Sequence, residues 1–544
     1  MNPLKKLAGQ TAIYGLSSIV GRLLNYLLVP LYTRYFIPEE YGVVTELYAY
    51  VAFLVIILTY GLETAFFRFS QREKNNRVVY STSLISLLFT SLLFVFLMFL
   101  FSENISETIG YPSNQEYIKW FALIIGLDAI SSISFAKLRA LNKATRFALI
   151  RLVNIFVNIG LNLFFIIYCP YVIENNLQSL NFVNSVYSSS VGIGYIFIAN
   201  LIASFVTIVM LLPEMINSVW VFDKKLWKKM MVYASPLLIA GLAGITNETI
   251  DRILLKNIEH PITIYEQYSF QLQKDILEDK KQIIIDDLLI YNEIKTFGNK
   301  FNQLSGTSKT YVINKAKEKE VGLYGAFYKL SIIMILFIQT FRFAAEPFFF
   351  AQEREVNSRK IYAEIMKYFV IVVSFIFLIV TTFYDFFINF LGSDYHDPRG
   401  LLVVSILLLA NFFLGIYYNL AIWYKLTDKT RYGAYLAIFG AAITITLNLI
   451  LIPSIGFEGS AIATLVCYFF MTLLSYILAK KHYPVPYDLN RILLYFSLMI
   501  SIFVILYITN FTITINSLFI LVYLFIIYAL EKPKNNVNTT PKLF

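Results

Sequence analysis

Fourteen times along the 544-residue chain an apolar run is long enough to cross the roughly 30 Å hydrocarbon core of a bilayer as a helix. The runs begin near residues 11, 43, 80, 117, 148, 191, 231, 321, 363, 401, 433, 460, 492 and 517. No other feature restricts the fold so strongly. Inside lipid every backbone amide must be bonded within its own segment or around a closed barrel, and the ten-residue alternation of a barrel is missing. Only 15% of residues are charged, against about 25% in soluble domains, so several soluble domains in series are excluded. Aromatic residues spread along the whole chain exclude a disordered or coiled-coil protein. The sequence therefore predicts an all-α polytopic membrane protein with about fourteen transmembrane helices.

Lys5 and Lys6 precede an apolar run from about Thr11 to Tyr32 that has no small-residue cleavage pattern, so this run is expected to stay as the first span. The net charge of +10 does not point to nucleic acid, because the basic residues sit in short loops between apolar runs. With the N-terminus placed in the cytoplasm, 28 lysines and arginines fall inside and three, Arg34, Lys119 and Arg399, in the short outer loops. A long segment from Lys256 to Glu320 holds ten more, balanced by ten acids, and long loops count little in this rule. Both termini are thus expected in the cytoplasm.

The chain repeats itself. Thr145-Arg146-Phe147 and Leu161-Asn162-Leu163 match Thr430-Arg431-Tyr432 and Leu447-Asn448-Leu449, at offsets of 285 and 286. Tyr41-Gly42 through Leu47 aligns with Tyr324-Gly325 through Leu330 at 283, and Tyr14 pairs with Tyr233 at 219. The difference of 64 is about the length of the long outer segment. Two lobes of six spans follow, 1–212 and 213–491, the second interrupted by an outer insertion at 257–320. Spans thirteen and fourteen occupy 492–530, and 531–544 is a cytoplasmic tail. Six is even, so the lobes are parallel repeats about an axis along the membrane normal, with a substrate path between them. In the insertion, Ile290, Ile294, Phe297, Phe301 and Leu304 follow four-three spacing, which predicts one amphipathic helix packing within a helical elaboration.

Enzyme constellations are missing: there is no phosphate-binding glycine loop and no His-Glu-x-x-His. His260, His396 and His482 lie far apart in loops and read as surface residues. Asp394-Tyr395-His396-Asp397 reads as a solvated turn, and Cys169 and Cys467 are too few for a disulfide framework or metal cluster. No cofactor or metal is expected.

What stands out is where ionisable groups interrupt apolar helices, each costing on the order of 3 kcal/mol at the bilayer centre unless it meets a cavity or a partner. Span one carries Arg22 and Asn25 on a polar stripe; span two carries Glu46 and Glu63, ~25 Å apart at 1.5 Å per residue. Span seven holds Glu248, Asp251 and Arg252, and span eight Lys329, Arg342 and Glu346. Depth sorts them, with Arg68, into an outer layer (Glu46, Glu248, Asp251, Arg252, Lys329), a cationic middle (Arg22, Asn25) and an inner layer (Glu63, Arg68, Arg342, Glu346). Glu248 with Arg252, and Arg342 with Glu346, have the i, i+4 spacing of intrahelical pairs. Arg22, Glu46, Glu63 and Lys329 have no such partner. Repeat equivalence sets Glu46 against Lys329 as a pair across the lobes at the outer gate. A polar, cationic centre between greasy helices suits a cargo with an anionic head and a lipid tail.

Thr45-Glu46-Leu47-Tyr48-Ala49-Tyr50, Glu63-Thr64-Ala65-Phe66-Phe67-Arg68-Phe69, Gly241 to Lys256, and Phe341-Arg342-Phe343-Ala344-Ala345-Glu346-Pro347-Phe348 resemble the polysaccharide and O-antigen flippases of the multidrug/oligosaccharidyl-lipid/polysaccharide exporter superfamily, in particular those of Bacteroidetes-type bacteria. The resemblance implies a flippase of undecaprenyl-diphosphate-linked oligosaccharide, working by alternating access in the bacterial inner membrane; Na+ or H+ is a candidate coupling ion, and polysaccharide assembly proteins are candidate partners. The family's central cationic residues carry over by position to Arg22, Lys329 and Arg342; together with Asn25 these are the expected substrate-binding groups, and the charged layers make Glu46, Glu63, Glu248, Asp251, Arg252 and Glu346 the expected gating or coupling groups. Family members have a short loop where this chain has its insertion. Two other readings stand beside this one. A cation-coupled multidrug antiporter should have an acidic cavity, which Arg22 and Lys329 oppose. A membrane polymerase or glycosyltransferase should lack the repeat and should fail on deletion of residues 262–318.

Overall fold

The computed structural model describes residues 23–24, 26–73, 75–177, 180–278, 285, 287–352, 355, 357–427, 429–509 and 513–532. Every extended regular element among them is helical. We label the principal helices α1 (Leu28–Tyr35), α2 (Pro38–Thr59), α3 (Leu62–Arg72), α4 (Asn76–Leu100), α5 (Gln115–Ala140), α6 (Ala144–Leu163), α7 (Gly194–Ile216), α8 (Lys224–Asn257), α9 (Ile262–Leu277), α10 (Leu288–Phe297), α11 (Gly306–Gln352), α12 (Ser358–Thr382), α13 (Gly400–Leu420), α14 (Arg431–Ile455), α15 (Phe457–His482), α16 (Leu489–Thr509) and α17 (Ile513–Glu531).

Twelve of the fourteen expected spans are helices long and apolar enough to cross a membrane. The last, α17, has a shorter apolar stretch, Ile515–Glu531. Most of the first, with Arg22 and Asn25, lies outside the described residues, which hold its end as α1. Phe89, Leu92 and Phe96 of α4 and Leu518, Leu521 and Phe525 of α17 point outward without cover, apolar rows that lipid would coat. The protein is a multi-pass membrane protein.

Helix starts follow local chemistry. Pro38 opens α2 with its φ already helical, and the Glu40 carboxylate accepts the Ile37 N–H at 3.2 Å. Asp223 caps α8 by accepting from the Lys225 and Leu226 N–H groups, and Asp287 caps α10 in the same way. Span two is broken at Tyr60 and Gly61, both at positive φ. A Cβ on Gly61 would also lie 3.1 Å from the Ala234 carbonyl of α8, so both backbone and packing require glycine.

Helices α3 to α7 pack into a first lobe and α8 with α11 to α15 into a second, α2 lies between them and packs mainly on α11 and α8 as well as on α5, and α16 and α17 lie on α12. The repeat is visible in detail. Asn162 of α6 and Asn448 of α14 are both fully buried, and each donates to the carbonyl four residues back, Asn158 and Thr444, at 2.8 Å. Helix α8 belongs to both halves. Leu226, Met230 and Ala234 pack into the first lobe's core, where Trp227 donates to Ser86 at 2.8 Å. Further along, Asn247 donates to the Ala437 carbonyl of α14 and accepts at its own carbonyl from Tyr468 of α15.

The insertion is several helices rather than one. Tyr265, Leu272, Ile276, Ile290, Ile294, Phe301 and Leu304 close a small core with Val312 and Ala316 of α11, so the elaboration packs on itself as the pattern predicts. Helix α10 stops at Phe297, which is exposed, and a 3-10 turn at Phe301–Gln303 reverses the chain into α11. Helix α11 then runs unbroken for 47 residues from the insertion through the whole membrane segment. His260 is not a surface residue: its ring is fully buried, with Nε2 bonded to the Leu255 carbonyl at 2.8 Å, and burial lowers its pKa. In the supposed solvated turn, Tyr395 is likewise buried and donates to the Phe36 carbonyl at 2.9 Å.

Candidate functional site

The two lobes meet where α2 crosses α11 near the insertion. A Cβ on Gly42 would sit 2.0 Å from the Glu318 carbonyl, and one on Gly322 would sit 1.8 Å from the Pro38 carbonyl. Backbones approach this closely only where side chains are missing, the arrangement that lets membrane helices seal against each other. Thr45 packs on Gly325 one turn deeper. The insertion end of the interface is therefore shut.

Charged groups reinforce the seal. Glu46, 1% exposed, receives a hydrogen bond from Tyr111, which leads into α5, and its second carboxylate oxygen has no bond among the described residues. The Lys256 ammonium lies 5.0 Å from the Tyr111 ring and bonds Glu318 at 2.8 Å, and Lys315 bonds Glu318 at the same distance. The partner expected for Glu46, Lys329, is not there. One-residue repeat equivalence does not make two side chains meet: Glu46 turns toward Tyr111 in its own lobe, and Lys329 faces a cavity.

That cavity, of about 420 Å³, lies between the lobes just below the glycine crossing. Helices α1 and α2 give it Tyr32 and Tyr48; α6 and α7 give Asn154, Asn158 and Asn200; α8 gives Glu248 and Arg252; and α11 gives Tyr328 and Lys329. Arg252 is held rigidly. Its guanidinium bonds Asp251 at 3.1 Å and the Glu248 carbonyl at 2.5 Å and lies 4.2 Å from the centre of the Tyr328 ring, while Tyr324 donates to Asp251 at 2.5 Å. The Lys329 ammonium and the Glu248 carboxylate have no ion-pair partner within 4.0 Å among the described residues, so both are free to meet a solute. Glu248 and Arg252 do not form the carboxylate–guanidinium pair their spacing suggests; the guanidinium takes the main-chain oxygen instead. Among the described residues the cationic centre is thus nearly balanced, with Lys329 against Glu248 and Arg252 against Asp251.

The expected inner layer is dispersed. Arg342, ~20 Å further along α11 at 1.5 Å per residue, pairs with Glu346 at 2.8 Å and lies 4.9 Å from the Tyr418 ring. Glu346 also receives Lys425 at 2.5 Å, so this pair becomes a triad inside the second lobe. Glu63 bonds Arg139 of α5 inside the first lobe. Neither group lines the cavity, whereas Glu248, Arg252 and Lys329 come together in it.

The asparagines escaped sequence reasoning although a signal was present. Asn154, Asn158 and Asn162 recur every four residues along α6, a polar stripe in an apolar span. Asn154 donates to Thr207 at 3.0 Å, Asn162 to the Asn158 side chain at 3.0 Å, and Asn200 to Tyr48 at 2.9 Å. With Tyr32 donating to Asn162 at 3.0 Å, one wall of the cavity becomes a chain of neutral hydrogen-bonding groups. Asp128, beside it on α5, accepts from Ser204 at 2.8 Å.

Residues 7–263, which take in the first lobe, all of α8 and the start of the insertion, match the family of polysaccharide biosynthesis proteins. Among solved structures, it is similar to the lipid II flippase MurJ in an inward closed conformation, at 16% identity and a TM-score of 0.57 over 95% of this chain and 98% of that one. It is also similar to an inward-facing multidrug-resistance MATE transporter of the MOP superfamily (14% identity, TM-score 0.55, 87% and 94% covered). A third, the MATE multidrug transporter DinF-BH, gives 14% identity and a TM-score of 0.55 with 89% and 97% covered. No curated protein sequence matches the chain. At such identities the likeness is one of fold.

Proposed function

We infer that the protein is a flippase for an oligosaccharide carried on a polyprenyl diphosphate such as undecaprenyl diphosphate, moving it from the cytoplasmic to the outer leaflet of a bacterial inner membrane by alternating access. The observation that carries this reading is the inter-lobe cavity with the unpaired Lys329 ammonium, shut at one end by the glycine crossing. An ammonium in a poorly solvated cavity attracts a diphosphate, and the amides and phenols opposite it offer donors and acceptors to the first sugar hydroxyls. Exit of a lipid tail requires the helices to part at the membrane, which the glycine-lined seam between α2 and α11 allows without leaving side chains interlocked. In this reading the termini are cytoplasmic, the insertion lies outside, and Arg22 and Asn25 extend the cationic path inward. Arg342 and Glu346 act at the cytoplasmic end. Na+ or H+ supplies coupling at Glu248 or Glu46, and polysaccharide assembly proteins receive the product.

One observation favours a second reading. The free carboxylate of Glu248 in the cavity is what a cation-coupled antiporter of hydrophobic cations would use. A reconstituted transport assay separates the two. In proteoliposomes loaded with lipid-linked oligosaccharide, wild type makes the glycan accessible from the opposite leaflet and Lys329→Ala slows this by at least about tenfold, the effect of losing about 1.4 kcal/mol of attraction. Uptake of a lipophilic cation dye with no glycan movement would establish the antiporter instead. In cells, loss of the gene should leave lipid-linked oligosaccharide in the inner leaflet.

A further inference from the structure

Beyond the shut seam lies a second cavity, larger than the first, that the transport cycle above does not use. It measures about 660 Å³, within the range of roughly 300–1,000 Å³ for ligand pockets. Its walls come from three places. The insertion supplies Tyr268 and Gln271 on α9 and Tyr311 and Lys319 on α11; the first turn of α2 supplies Glu39 and Glu40; and the loop before α13 supplies Asp394. Its floor is the crossing of α2 and α11, since Pro38 lines it and Gly322 packs against the Pro38 carbonyl.

The chemistry of the lining is that of a carbohydrate site. Tyr268 and Tyr311 put aromatic rings in the lining, the Lys319 ammonium lying 5.5 Å from the Tyr268 ring centre, and carboxylates and an amide offer acceptors to hydroxyls in quantity. Some of the charges are paired: Asp397 bonds Arg399 at 2.9 Å, and Lys315 bonds Glu318 at 2.8 Å. The lining as a whole is acidic, because Glu39, Glu40, Asp275, Asp394 and Asp397 outnumber Lys315 and Lys319. Such a lining repels uronates and phosphates and accepts neutral or amine-bearing sugars.

We propose that this cleft is a binding site for the neutral or amino-sugar glycan portion of the cargo, formed by the insertion and existing while the seam beneath it is shut. The proposal rests on the flippase reading for the identity of the glycan. Glu39 and Glu40 ride on α2, and Tyr311 and Lys319 on α11, the two helices whose crossing is the seam. Parting of the seam carries the two walls apart and dissolves the site. A glycan held here therefore stabilises the shut state, and it is kept from re-entering the inter-lobe cavity.

The test uses the full chain in lipid nanodiscs and two soluble probes: the glycan released by mild acid from the host's own lipid-linked oligosaccharide, and trigalacturonate as an anionic control. Saturation-transfer NMR should show the released glycan bound and trigalacturonate not. Tyr268→Ala, and Asp394→Asn at an exposed position, should each weaken glycan binding about tenfold or more. Failure of the released glycan to bind, or equal binding by wild type and both variants, overturns the proposal. Transport of the lipid-linked form is scored in parallel. Movement in the wild type without Tyr268-dependent binding removes the cleft and leaves the flippase reading; Tyr268-dependent binding without movement keeps the cleft and removes the flippase reading.

Discussion

Replacement of Gly322 by alanine should open the seam. The added Cβ would lie 1.8 Å from the Pro38 carbonyl oxygen, where ordinary contact begins near 3.4 Å, so α2 and α11 must separate by about 1.6 Å at the crossing. The same subtraction for Gly42 against the Glu318 carbonyl, from 2.0 Å, gives about 1.4 Å. Neither obstacle can swing aside, because each is main chain within a helix. Overpacking of this kind costs about 1–3 kcal/mol, which shifts a shut/open equilibrium roughly five- to 150-fold toward open. Alanine's better helix propensity, about 1 kcal/mol over glycine, acts equally on both states, since α11 is helical in each, and so does not offset the shift. The assay is thiol labelling of Thr45→Cys, which packs on Gly325 one turn below the crossing, in a background where the buried Cys169 and Cys467 are replaced by serine. A membrane-impermeant maleimide applied from the insertion side should react several-fold faster in Gly322→Ala at equal protein level. Labelling as slow as in the Gly322 parent would refute the idea that close glycine packing holds this end shut.

Three further outcomes are expected. In a charge-swap cycle read by glycan export, Glu46→Lys with Lys329→Glu should be no better than the worse single variant, because Glu46 is bonded to Tyr111 and Lys329 faces the cavity; restored export would show that the two meet in another state of the cycle. Cysteines at Asn75 and Lys225 should label from one face of the membrane and one at Ser305 from the other, and a shared side would overturn the orientation taken from the loop charges. The Glu293 carboxylate accepts the hydroxyls of Ser305 and Ser308 at 2.7 Å each at the start of α11, bonds that hold it below its usual pKa. A depressed pKa makes its contribution to insertion stability fully present above the ordinary value of about 4.3 and lost as pH falls through the lowered one. Resistance of the insertion to limited proteolysis should accordingly be flat from pH 7 to 5 and decline below that, and Glu293→Gln should flatten the decline.

The membrane-spanning class, twelve of the fourteen spans and the internal repeat were legible in the sequence because each rests on a constraint that acts locally or by simple repetition. Lipid forces backbone pairing within each apolar run, and a repeat preserves residue types at equivalent positions, so Asn162 and Asn448 could be matched before either was seen buried and bonded to its own helix. Glu248, Arg252 and Lys329 were legible as intruders in apolar spans, since the cost of a charge in lipid demands an outlet wherever it lies. Direction was not legible. Whether Glu46 turns to Lys329 or Tyr111, whether Arg252 takes a carboxylate or a main-chain oxygen, and whether Arg342 serves a cavity or closes a triad with Lys425 depend on which helix lies 3 Å away, and helical spacing says nothing of that. The seam is the clearest case: two glycines 280 positions apart are ordinary helix residues in the sequence, and only the crossing of α2 on α11 makes them the place where the lobes close.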